Sequence, residues 1–127
     1  MNVAKKNHKE AAVSYLKLVS SGKIREVYDK YVDQSFNHHN PYFDGDAESL
    51  AAGMEENAKK FPNKIFDIKH ILEDGDFVAV HSRLQLGANE PEIAVVHIFR
   101  FKNSKIVELW DLGQQVPKDS PNENGMF

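Results

Sequence analysis

The sequence predicts an α+β domain in which three helices are followed by a meander of antiparallel strands. Three observations predict it. Apolar residues recur at three- and four-residue steps as far as Phe61, they alternate with polar residues from Lys64 onward, and turn-forming pairs divide the alternating part. Helical and strand periods thus occupy separate parts of the chain, the pattern of helices gathered on one face of a sheet.

The first helix is predicted over Ala4 to Ser21, where Ala11, Ala12, Tyr15, Leu16 and Val19 form one stripe and Gly22 stands at the C-cap. Ile24, Val27, Tyr28 and Tyr31 continue as a second helix. The stretch Phe36-Asn37-His38-His39-Asn40-Pro41 then reads as extended chain, because the proline biases Asn40 away from helix. Asp44-Gly45-Asp46 makes a turn, with Asp46 the N-cap of a third helix that carries Leu50, Met54, Ala58 and Phe61 and ends at Pro62. Four strands follow, over Lys64 to Leu72, Phe77 to Leu86, Glu92 to Phe101 and Lys105 to Leu112. Asp74-Gly75 is a strong signal for a type I′ hairpin and Asn103-Ser104 a weaker one, since serine tolerates positive φ less well than glycine. Residues 1–127 are expected to form a single domain with 117–127 an irregular tail, whose apolar Met126-Phe127 end is suited to docking.

Lysines and arginines number 16 against 19 aspartates and glutamates, a net charge of −3 spread along the chain. No basic patch calls for nucleic acid or an anionic membrane. Cysteine is absent, which removes disulfides, thiolate nucleophiles and cysteine-based metal sites together. No segment approaches the roughly 18 apolar residues of a membrane span. With no secretory leader pattern and no Asn-x-Ser/Thr sequon, a cytoplasmic location is expected.

Chemistry is expected where polar groups meet the core. Alternation puts His97 on the face of Val95, Phe99 and Phe101, and Asp111 on the face of Val107 and Leu109. Burying such groups costs free energy unless they are paired, so they mark either a structural polar network or a lined cavity. Asp111 and His97 are the candidate catalytic residues, a carboxylate acid/base helped by an imidazole. His39, Asn40, His81 and Trp110 are the candidate substrate contacts. Of the adjacent His38 and His39 only one can enter a cavity; His39 is the candidate to line it, and a surface turn with His38 solvated is the alternative. His81 shares its face with Phe77, Ala79, Arg83 and Gln85, so its role depends on which face meets the helices. His70, in step with Phe66, Ile68 and Leu72, suits a strand edge or interface. Trp110 faces away from Asp111 with Glu108 and Ile106, an orientation that also suits packing or an interface. Gly-rich phosphate loops, His-Glu-x-x-His, Gly-x-Ser-x-Gly and EF-hand spacings are all missing, and no metal site or cofactor is expected.

Taken together, the helix-helix-"HHNP"-helix-meander order, "FRFKNSKIVELWDLGQQVP" and the tail "SPNENGMF" resemble the SnoaL-like polyketide cyclase group of the nuclear transport factor 2-like superfamily. The likeness spans nearly the whole chain. It implies a cone-shaped barrel in which three helices pack on a strongly bent antiparallel sheet, a small apolar molecule in the cone cavity, and a homodimer packed through the sheets. It also implies that Asp111 is the acid/base of an intramolecular aldol closure, with His97 at a second polar position and His39-Asn40-Pro41 as the family's "His-Asn-Pro" segment. The chain departs from many relatives at His38, Leu109 and His97, where glutamine, histidine and aspartate are common, so its polar lining differs. A second apolar sheet face from Val78, Val80, Leu84 and Leu86 would serve the dimer.

Two functions are consistent with these residues. One is a cofactor-free enzyme of the aldol cyclase or isomerase type acting on a small apolar carbonyl compound. The other is a non-catalytic small-ligand or protein-interaction module in which Asp111 and His97 only pair or orient. A dimeric structural protein with an occluded interior is a third reading.

Overall fold

Asn7 opens the first helix of the computed structural model, which describes residues 7–127. Its side-chain oxygen accepts the Glu10 N–H at 2.8 Å, so α1 runs over His8–Ser20, and the expected start at Ala4 lies outside the described residues. Gly22, at φ +84°, follows the cap rather than forming it. Its left-handed turn lets Lys23 N–H reach the Leu18 carbonyl at 2.8 Å and Gly22 N–H that of Val19 at 3.0 Å, a Schellman closure. The short helix α2, Ile24–Tyr31, runs directly into strand β1, Val32–His38. Asp46 caps α3, Ala47–Lys60, by accepting the Ser49 N–H at 3.0 Å.

Strands β2 (Ile65–Asp74), β3 (Phe77–Gln85), β4 (Glu92–Lys102) and β5 (Lys105–Gln115) form the predicted antiparallel meander. The fifth strand, β1, adds to β5 in parallel, giving the order β1-β5-β4-β3-β2. The α+β order of helices followed by a sheet is as expected, and within it the sheet is mixed and open, because β1 joins the antiparallel meander in parallel. In β1 only Phe36 and His38 are buried, so the alternation that marks a strand was too short to read. Asn103 and Ser104, at φ 52° and 67°, carry the type I′ signature. At the other hairpin the central residues are Gly75 and Asp76, between paired Asp74 and Phe77, and only Gly75 has positive φ. That is the pattern of a type II′ turn, not the expected I′.

Two bulges decide which side chains reach the interior. Lys69 is an extra residue between the pairs Ile68 with Ser82 and His70 with His81. Val107 is an extra residue between the pairs Phe101 with Ile106 and Arg100 with Glu108. Each reverses the alternation beyond it. Ile71 and Ile106 therefore turn to the core, while His70 turns outward, against the parity read from sequence.

The inner face of the sheet packs on α1 and α2. Val78, Val80, Phe99 and Ile106 are fully buried beneath Tyr15, whose ring meets Phe99 edge-on at 5.3 Å. Val78 and Val80 are thus core residues, and Leu84 and Leu86 line a cavity, so this set is not the dimer face expected from sequence. After Gln115 the chain is irregular, but its end docks: the Met126 carbonyl lies 3.1 Å from His81 Nε2 and Phe127 stacks on that ring. No helix among the described residues is long and apolar enough to cross a membrane.

Candidate functional site

A cavity of about 450 Å³ opens between the inner face of the sheet, α1, α3 and the loop after β1. Its wall is mainly apolar, with Leu16, Val19, Leu50, Met54, Phe66, Leu84 and Ile93 contributing. Asp111 and His97 both line it. They sit directly opposite each other on β5 and β4, so the register that pairs the strands also brings the two side chains together.

Asp111 Oδ1 lies 3.8 Å from His97 Nε2, too far for a hydrogen bond but within ion-pair range. Asp111 Oδ2 accepts the side-chain N–H of Asn40 at 3.0 Å. The Asn40 amide is held in that orientation because its own Oδ1 accepts the Tyr42 N–H at 3.0 Å. One carboxylate oxygen is therefore tied down, and the other has no hydrogen-bond donor among the described residues.

The His97 side chain is only 13 % exposed, and its Nδ1 is buried without a partner among the described residues. Burial lowers its pKa, and the neighbouring Asp111 charge pulls the other way. The ring is accordingly neutral at pH 7. With the proton on Nε2, the N–H faces the carboxylate side and the Nδ1 lone pair is left among apolar neighbours; Phe66 and Phe99 lie 6.2 Å from the ring.

Among the predicted substrate contacts, Asn40 lines the cavity and the other three do not. His39 points to the outer face, where its Nε2 lies 2.7 Å from Glu108 Oε2 and its ring stacks on Trp110 at 4.8 Å. That imidazole and then Arg100 hold the Glu108 carboxyl below the usual range. The histidine that turns inward is His38, buried and accepting the Asn40 N–H on Nδ1 at 3.1 Å, with Nε2 unpartnered among the described residues. His38 rather than the candidate His39 takes the inner position, because β1 pairs with β5 in the register that sets His38 beside Leu109 on the inner face. Trp110 packs between His39 and Phe77 outside the cavity. His81 is also outside. Its Nδ1 lies 2.9 Å from His70 Nδ1, since the face of Phe77 is the outer one.

Three further groups line the cavity. Tyr15, placed in the core by its helical stripe, meets Tyr28 hydroxyl to hydroxyl at 3.2 Å, and burial pushes its phenol well above the ordinary range. Phe43 covers the cavity by lying on Gly53, so closely that a Cβ there would fall 2.2 Å from its ring. Lys64 enters beside Asn57, and burial lowers its pKa. Its parity with Phe66 and Ile68 was the signal that could have found it. Among the described residues no three histidine, aspartate or glutamate side chains converge as a metal centre would require.

Three helices on an open, mixed sheet, with an acid in the wall of an apolar cavity, give a small α+β protein with a nuclear transport factor 2-like fold. Solved structures share this fold across most of their length. An NTF2-like protein of unknown function from Cytophaga hutchinsonii superposes with a TM-score of 0.71 at 13 % identity, covering 90 % of this chain and 95 % of that one. An uncharacterized cystatin-fold protein from Novosphingobium aromaticivorans gives 0.72 at 16 % identity, with 84 % and 98 % covered. A SnoaL-like polyketide cyclase from Agrobacterium tumefaciens gives 0.70 at 12 % identity, with 86 % and 92 % covered. The chain belongs to the SnoaL-like polyketide cyclase family, whose model matches residues 9–118. No curated protein matches it in sequence.

Proposed function

We propose that this protein is a cofactor-free acid/base enzyme of the aldol cyclase or isomerase type, acting on a small apolar carbonyl compound. The observation that carries the reading is the half-tied carboxylate of Asp111, with Oδ2 held by Asn40 and Oδ1 free beside a nearly buried His97. Oδ1 takes the proton from a carbon next to the substrate carbonyl. The neutral His97 N–H stabilises the oxygen as enolate charge develops, and the apolar wall excludes water that would screen this interaction. For ring closure, the enolate carbon forms a bond to a second carbonyl carbon of the same molecule. The alkoxide that results takes the proton back from Asp111, which ends the cycle as it began. Membership of the SnoaL-like family supports this reaction type. The reading also includes a homodimer joined through the outer sheet faces and a cytoplasmic location.

Deuterium uptake at the methyl group of methyl 4-acetylbenzoate, followed by proton NMR in heavy water, tests it. The wild type is expected to accelerate exchange over buffer, and Asp111→Asn to lose roughly 100-fold of that acceleration while staying folded. Equal rates in the folded variant and the wild type would leave the non-catalytic binding module as the correct reading.

A further inference from the structure

The polar groups of the cavity are not all at the Asp111 end. Lys64 lies just ahead of β2, at the opposite edge of the meander from β5, and its side chain joins the same cavity wall. Three strand spacings, ~14 Å measured along the sheet, separate those two strands. Among the described residues the ammonium has one polar partner, the side-chain oxygen of Asn57 on α3. Arg25, Arg83 and Arg100 each meet a carboxylate, whereas no carboxylate among the described residues lies within ion-pair range of Lys64. Lys64 is half-buried and turned toward the cavity instead of out to water. A desolvated cation without an anion is costly, and an arrangement of this kind is completed when the anion arrives with the ligand.

From this geometry we infer that the substrate is bipolar: an apolar, ring-sized body with its carbonyl at Asp111 and an anionic group, a carboxylate or an acidic enol or phenol, bound by Lys64. This rests on the acid/base reading of Asp111 and adds the specificity-determining residue at the other end. Lys64 binds the part of the substrate that does not react. It therefore acts on substrate affinity, and Asp111 on turnover.

Two probes carry both groups at different spans, 4-acetylbenzoate and 4′-acetylbiphenyl-4-carboxylate, and the methyl ester of each removes the charge. Calorimetric titration is expected to show that at least one acid binds the wild type about tenfold more tightly than its ester. In Lys64→Met that preference disappears while ester affinity is retained. In Asp111→Asn the preference persists although exchange at the acetyl group is lost, which separates failure of this inference from failure of the catalytic reading. The inference is overturned if the wild type prefers neither acid, or if the preference survives in Lys64→Met.

Discussion

Replacing His97 by glutamine tests whether the cavity holds this imidazole uncharged. Burial lowers its pKa from the ordinary 6.5, against the pull of Asp111. The unfolded chain therefore takes up a proton near pH 6.5 that the folded chain resists. The contribution of a neutral His97 is complete above the unfolded value and is lost as the pH falls through the window between 6.5 and the lower folded value. Inside that window the difference of one proton is worth ~1.4 kcal/mol per pH unit. With the side chain 13 % exposed, solvent screening takes little from this figure. Glutamine keeps a polar group of similar reach and does not titrate, so the difference between the two proteins isolates the ring. Urea unfolding at about pH 7.5, 6.5 and 5.5 should show the wild type losing stability relative to His97→Gln over the last step and little over the first. Asp111→Asn, which removes the opposing charge, should carry the loss further into acid. A wild type that instead gains on the variant as the pH falls would mean that the ring is protonated and held by Asp111, and the neutral imidazole would be refuted.

Gly53 and Phe43 should couple. Alanine in place of a mid-helix glycine ordinarily stabilises by ~1 kcal/mol, but here its Cβ would meet the Phe43 ring, so Gly53→Ala should gain that amount only in a Phe43→Ala background. Additive thermal-unfolding values around this cycle would show that Phe43 does not rest on Gly53. The outer face should carry self-association, because Leu112 and Phe77 remain 60 % and 43 % exposed there. Light scattering is expected to give twice the 14.4 kDa chain mass for the wild type and the single mass for Leu112→Asp, and a monomeric wild type would remove this surface from the proposal.

The meander was legible because its cues are local. Alternation over β3 and β4 sets Val78, Val80, Val95 and Phe99 on one face, and the turn residues at Gly75 and Asn103 mark where the chain reverses. The bulges at Lys69 and Val107 were not legible. An extra residue leaves no trace in composition, and it became visible only where the partner strand failed to advance with it. The parallel placement of β1 is a non-local choice of the same kind. Nothing within residues 32–38 names β5 as the neighbour.

The same distinction explains which site residues were found. Asp111 and His97 lie on strands without a bulge between their positions and the core residues used to count parity, Leu109 and Phe99, so counting placed both on the inner face. His38 and His39 depend on how β1 meets β5, and Trp110 and His81 depend on which face the helices cover; none of these is a property of one strand. Lys64 shows the limit from the other side. Its parity with Phe66 was countable, but a lysine before a strand is ordinarily a solvated charge, and only the packing of α3 across the sheet, bringing Asn57 to its ammonium, makes that position part of a cavity. Parity along a strand thus identifies the residues able to face a site, and the element that closes over the sheet selects those that do.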